Sequence, residues 1–224
     1  MFIHEPVDLG YEDLEAVTTN KGRRYACPNG NSYPSITTVL SILSEEAIQK
    51  WRARVGAEEA NKISHRAATR GTAVHTIIEK YIDNDPDYLK GVMPNVVENF
   101  KSVKDVLDAR IGKVVLQECP LYSDKFGIAG RVDCIAEFDG KLSIIDFKTS
   151  RKLKKREWVE NYFIQEAFYA AAFYEQTGIA INQIVTLIAV DDEEPQVFIE
   201  EPYKWLPKLL ETKVEYDRRR LFGR

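Results

Sequence analysis

Gly130-Arg131-Val132-Asp133 and Ile144-Ile145-Asp146-Phe147-Lys148-Thr149 flank an Asp139-Gly140 pair. Asp-Gly between alternating apolar runs is a dipeptide favoured in a two-residue type I′ hairpin turn. With 139 and 140 as the loop, 138 faces 141, so Asp133 faces Asp146 and Arg131 faces Lys148. Facing residues share a side of the hairpin. One side carries Arg131, Asp133 and Ile135 against Ile144, Asp146 and Lys148; the other carries Val132, Cys134, Ala136 and Phe138 against Ile145 and Phe147, and is expected to be the core side.

Two ionised carboxylates about 5 Å apart repel by roughly 3 kcal/mol at an effective dielectric near 20. A divalent cation reverses that sign, and an all-oxygen pair suits a hard ion such as Mg²⁺ or Mn²⁺. Lys148, two residues along the same strand, points at the same place. The competing reading is a salt-bridged strand pair in which Arg131 and Lys148 neutralise the two aspartates.

Outward from the hairpin, strands are expected over residues 114–122, 127–138, 141–148, 183–190 and 196–200, with one long helix over 158–177 that Gly178 ends. Before them the pattern is helical. Ser35 caps one helix, Ser44-Glu45-Glu46 opens a second, a third spans 69–82, and a fourth starts at Pro94 and stops at Gly112. A hairpin around Pro28-Asn29-Gly30 and a closing helix over 203–221 complete the chain. The expected fold is α/β: a central mixed β-sheet flanked by helices, one domain over 1–224, with a mainly helical portion over 1–112, a sheet core over 113–200 and a C-terminal helix over 201–224.

A net charge of −4 argues against coating duplex DNA with a basic surface, so nucleic-acid contact has to rest on local patches. One such patch is Arg151, Lys152, Lys154, Lys155 and Arg156, a solvated loop by default and a phosphate contact beside a metal. Ser35, Thr37, Thr149 and Ser150 add hydroxyl donors for phosphate. Trp51 reads first as packing and second as a base-stacking residue. The three cysteines are scattered, which fits a reducing compartment. No apolar run approaches a membrane span and the acidic start lacks a signal-like pattern, so the expected location is a cytoplasm, bacterial or of a phage-infected cell, with no membrane partner.

The Gly-x-x-Asp strand, the Asp-x-Lys strand and the later Gln165-x-x-x-Tyr169 helix resemble the PD-(D/E)XK nuclease superfamily, and within it the RecB-like branch. Pro34-Ser35-Ile36-Thr37-Thr38-Val39-Leu40 is similar, more narrowly, to the stand-alone mitochondrial genome maintenance exonuclease type. Two departures stand out: Val132, not proline, precedes the first aspartate, and the second acid is Asp146 rather than glutamate.

The resemblance implies a restriction-endonuclease-like core and a metal-dependent DNA exonuclease acting on single-stranded ends in replication, recombination or repair, with proteins of those processes as further partners. It implies catalytic roles for Asp133, Asp146 and Lys148 and metal ligation by His75, Asp133, Asp146 and the Phe147 carbonyl, with Glu79 supporting His75. By itself His75 reads as a hydrogen-bonded structural histidine. Glu118 is either a ligand, as an acid on this strand is in relatives, or a solvent-facing edge residue. Gln165 and Tyr169 share a helix face and, with Arg131, Thr149, Ser150, Lys152, Ser35 and Thr37, make up the expected DNA contacts. The chain cannot supply the four cysteines of the iron-sulfur cluster that several RecB-like nucleases carry. The alternatives are a duplex-end exonuclease, a structure-specific endonuclease and, from another class, a non-catalytic nucleic-acid binder. A small-molecule phosphohydrolase lacks its Gly-rich cradle here.

Overall fold

The computed structural model describes residues 1–223. Its main sheet has six strands, β1 (Ile3–His4), β5 (Ile111–Ser123), β6 (Ile128–Phe138), β7 (Lys141–Ser150), β8 (Gln183–Val190) and β9 (Gln196–Glu200), in that spatial order. β5, β6 and β7 form an antiparallel meander, β7 and β8 are parallel, and β9 returns antiparallel on β8. A parallel pair needs a crossover. Helix α4 (Glu160–Thr177) supplies it, ending at Gly178 in the left-handed region (φ 72°). A second sheet joins β2 (Ala16–Thr19), β3 (Gly22–Ala26) and β4 (Ser32–Pro34), β3 and β4 being the expected hairpin around Pro28-Asn29-Gly30 within a helix-rich N-terminal part.

The turn behaves as the dipeptide predicts. Asp139 and Gly140 both have positive φ (53° and 73°), and Phe138 pairs with Lys141. The expected register holds from there to Cys134↔Ile145 and then stops. Beyond it the Asp133 side chain takes over a ladder position, its Oδ2 accepting the Phe147 N–H at 2.8 Å.

The idea that one hairpin side is core needs correction, because both sides are. On one side Val132, Ile135 and Ile144 pack under α4, α1 (Ile36–Val55) and α5 (Leu206–Phe222). On the other Cys134, Ala136, Phe138, Ile145 and Phe147 pack under α2 (Ala57–Ile82) and α3 (Pro94–Arg110). Val132 and Cys134 share a parity in sequence yet join opposite cores, so the alternation of β6 changes phase at Asp133.

Two helix boundaries differ from expectation. α1 runs through Ser44, whose hydroxyl donates to the Ser41 carbonyl instead of capping a new helix, and ends at Gly56 (φ 87°). α2 starts at Ala57, three turns early, because its first turns are exposed and carry no apolar stripe to announce them. Ser35 does cap α1, accepting the Thr38 N–H at 3.1 Å.

Candidate active site

The phase change in β6 has a partner on β5. Gln117 pairs with Cys134 and Cys119 with Val132, and between them Glu118 stands opposite Asp133 with φ 43°. A non-glycine residue in that region costs on the order of 1–3 kcal/mol and persists where surroundings enforce it. Here Arg131 enforces it: its guanidinium donates to the Glu118 carbonyl and to the Asp13 carboxylate.

The strained turn brings Glu118 against Asp133 and the α2 residue His75. Ligand atoms of these three lie within 4.8 Å of one another, with His75 Nδ1 3.5 Å from Asp133 Oδ2. Burial, then the Asp133 carboxylate, pushes the Glu118 carboxyl up to about 7. Burial and the nearby Asp83 likewise raise Glu79, one turn after His75. Two carboxylates and an imidazole converge while the Arg131 guanidinium is held on the Glu118 carbonyl and on Asp13, so the donor set fits a hard or borderline divalent ion.

Asp146 is nearly inaccessible (1% exposed), pairing with Lys148 and accepting from Gln165 Nε2 at 3.1 Å. Burial holds its carboxyl above the usual range, the Lys148 ammonium pulling against that and Asp133 adding to it. Burial lowers Lys148, but Asp146 and Asp133 outweigh it and keep the ammonium protonated well above its ordinary value. The Tyr162 ring lies beside that ammonium, 5.0 Å from Nζ to the centroid. Asp133 joins the two halves through its bond to the Phe147 N–H.

The other expected contacts divide sharply. Gln165 and Tyr169 do share a face, but both are buried and engaged within the protein: Gln165 with Asp146, and Tyr169 through a 2.8 Å bond to the Arg131 carbonyl. Ser35 is buried in its cap, and Ser150 donates to the Lys152 carbonyl at 2.6 Å. Thr37 and Lys152 are exposed, and Thr149 is half-buried. A cleft of about 400 Å³ gathers His75, Glu118 and Asp133 with Thr37, Arg23 and Gln165. A larger hollow of about 510 Å³ between Phe2, Tyr81 and Glu137 lies away from these groups.

Sequence reasoning missed Glu166, a fully buried acid on α4 that accepts from the Thr186 hydroxyl and leaves Oε2 without a partner. Burial first, then Asp146, holds its carboxyl well above the usual range. A charge inside the apolar run 163–170, right after Gln165, was the available signal. Tyr162, one turn before Gln165, was equally readable. The Arg131 support of Glu118 had none, as it depends on the turn in β5.

The model of the PD-(D/E)XK nuclease superfamily matches residues 49–212, well over half of the chain and all of the site except its N-terminal edge. The chain belongs to the PD-(D/E)XK nuclease superfamily. Among curated proteins it is similar to the human mitochondrial genome maintenance exonuclease 1, 25% identical over 173 residues, covering 71% of this chain and 49% of that protein. The mouse protein of the same name is 26% identical over 132 residues, covering 55% and 39%. The chain thus spans no more than about half the length of these relatives. A solved structure from Eubacterium rectale, described provisionally as an exonuclease, shares 16% identity and a TM-score of 0.40 over 66% of this chain and 68% of its own. That likeness is too slight to argue from. Superfamily nucleases generally use divalent metals, which accords with the His75, Glu118 and Asp133 group. No helix among the described residues is long and apolar enough to cross a membrane.

Proposed function

We propose that this chain is a divalent-metal-dependent deoxyribonuclease that trims single-stranded DNA from its ends, in replication, recombination or repair. The observation that carries the reading is the meeting of His75, Glu118 and Asp133 in one cleft of a nuclease-superfamily fold, with Asp133 bonded to the Phe147 N–H that lies between the buried, paired Asp146 and Lys148. The exonuclease part leans on the names of the two curated relatives, and the single-strand preference on the same resemblance.

His75, Glu118 and Asp133, with Asp146 and the Phe147 carbonyl close by, would hold Mg²⁺ or Mn²⁺. Such an ion supplies Lewis acidity at the phosphate and a water of lowered pKa. Lys148, kept charged by Asp146 and Asp133, stabilises the negative charge that builds on the phosphoryl oxygens during in-line attack. Gln165 fixes Asp146, and Tyr169 braces β6 behind Asp133. Glu79, one turn after His75, supports it through charge. Thr37, Thr149, Lys152 and the basic residues around it meet the backbone phosphates. The products carry a 5′ phosphate and a 3′ hydroxyl.

The test is degradation of linear against covalently circular single-stranded DNA in Mn²⁺, beside Lys148→Ala. Loss of the linear form alone, absent in the variant, is the expected result. Cutting of both forms would make the enzyme an endonuclease, and cutting of neither would leave duplex ends or simple binding as the function.

A further inference from the structure

The turn that leads into α4, close in sequence to Lys148, carries an aromatic surface that the roles above do not use. Tyr162 lies half-buried beside Lys148. Four residues earlier, in the 3₁₀ turn Arg156–Trp158 that runs into α4, Trp158 is 62% exposed. Lys155 Nζ sits 5.3 Å from its ring centroid, and Leu153, two residues before Lys155, is half exposed. Two successive aromatic rings thus each carry a lysine, one of them the catalytic one.

The charge around the rings is mainly positive. Between residues 148 and 165 there are six basic residues against Glu157 and Glu160. Arg156 is spent on Glu200, whereas Arg151, Lys152 and Lys155 are exposed and in no ion pair among the described residues. In a chain of net charge −4 this is a local departure, and an exposed indole set among free cations matches an anionic polymer that offers flat rings.

We infer that Trp158 and Tyr162 form a base-stacking track, flanked by Arg151, Lys152 and Lys155, along which one unpaired DNA strand passes to or from the active site. The inference rests on the nuclease reading and deepens it. Stacking on an open ring requires a base face that a duplex keeps covered, so the track selects single strands without reading their sequence. Tyr162 would place the last stacked base next to Lys148, and hence next to the phosphate that Lys148 serves.

The test is the affinity of a labelled oligothymidylate for the full chain, by fluorescence anisotropy in Ca²⁺, with a gel confirming that the oligonucleotide stays intact. An abasic oligonucleotide of equal length and a duplex serve as comparisons. Trp158→Ala is expected to weaken oligothymidylate binding by roughly 5- to 150-fold, the range for one lost base–aromatic stack, while Trp158→Phe keeps most of it. The abasic strand is expected to bind the wild type weakly and to be indifferent to Trp158→Ala, and the duplex to bind less tightly than the single strand. Trp158 is exposed, so Trp158→Ala should fold, and Tyr162→Leu gives a second reading at the inner position. Unchanged oligothymidylate affinity in Trp158→Ala would overturn the track. So would an equal loss for the abasic strand, or equal wild-type affinity for duplex and single strand. Failure of the wild type to cut in Mn²⁺ would strike the nuclease reading alone, since binding is read without turnover.

Discussion

Glu118 is a strained, half-buried acid facing a second acid, and both properties are measurable. Burial, then Asp133, pushes its carboxyl up to about 7 from the ordinary 4.5, so between those two pH values the folded state holds more protons than the unfolded one. Stability must then fall as pH rises through that window, its Glu118 contribution complete below about 4.5 and gone above about 7. In EDTA, Glu118→Gln is expected to flatten the decline in Tm between pH 4 and 8; an unchanged slope would show that Glu118 is not the titrating group. Metal affinity should run the opposite way and strengthen as pH rises through 7, because binding needs the carboxylate. Lys148→Ala should lower the single-turnover rate by at least about 10²-fold while circular dichroism stays native, in line with removal of one preorganised group that stabilises a developing charge. Substantial residual cleavage would take that role from Lys148.

At the level of elements, what was legible in the chain was what short-range chemistry decides. Asp139-Gly140 set the turn, the turn set the register, and alternation then brought Asp133 and Asp146 to one hairpin. The break in register at Asp133 was hidden. It follows from a phase change enforced by a different strand, through Glu118 and the Arg131 guanidinium. The first turns of α2 were hidden for another reason: they bury almost nothing, so no periodicity records them. Gly130 shows how tightly α4 seats on β6. A Cβ there would lie 2.9 Å from the Tyr169 ring and hydroxyl and 3.0 Å from Ile36 Cγ2. Gly130→Ala is expected to cost about 1–3 kcal/mol in urea denaturation, typical of overpacking a filled core, and to weaken cleavage by shifting Tyr169 and the strand behind Asp133. An unperturbed midpoint would mean that α4 has room to move.

Across the whole molecule, the site is assembled from α2, β5, β6, β7 and α4, elements spread from residue 75 to residue 165. An ion that several distant elements share binds the folded chain and not the unfolded one. Mn²⁺ at about 100 times its Kd should therefore add about 2.7 kcal/mol of stability, seen as a rise in Tm that grows with concentration. Asp133→Asn should lose most of that rise while being no less stable than the wild type in EDTA, since it also removes a like-charge contact. A full Mn²⁺ response in that variant would move the ion away from Asp133. Family membership could be inferred from three short motifs because each lies within one element. The pairing of ligands could not, since it is a property of the packing between them.

On the proposed metal-dependent reading, the bond from the Phe147 N–H to Asp133 Oδ2 would serve as a gauge of occupancy. That amide feels the carboxylate directly, and a carboxylate that shares its electrons with a cation is a poorer acceptor. Its proton resonance should move upfield as the site fills, and its exchange with solvent deuterium should report how firmly the sheet is closed behind the metal. One backbone signal would then follow loading, release and competition between ions in real time.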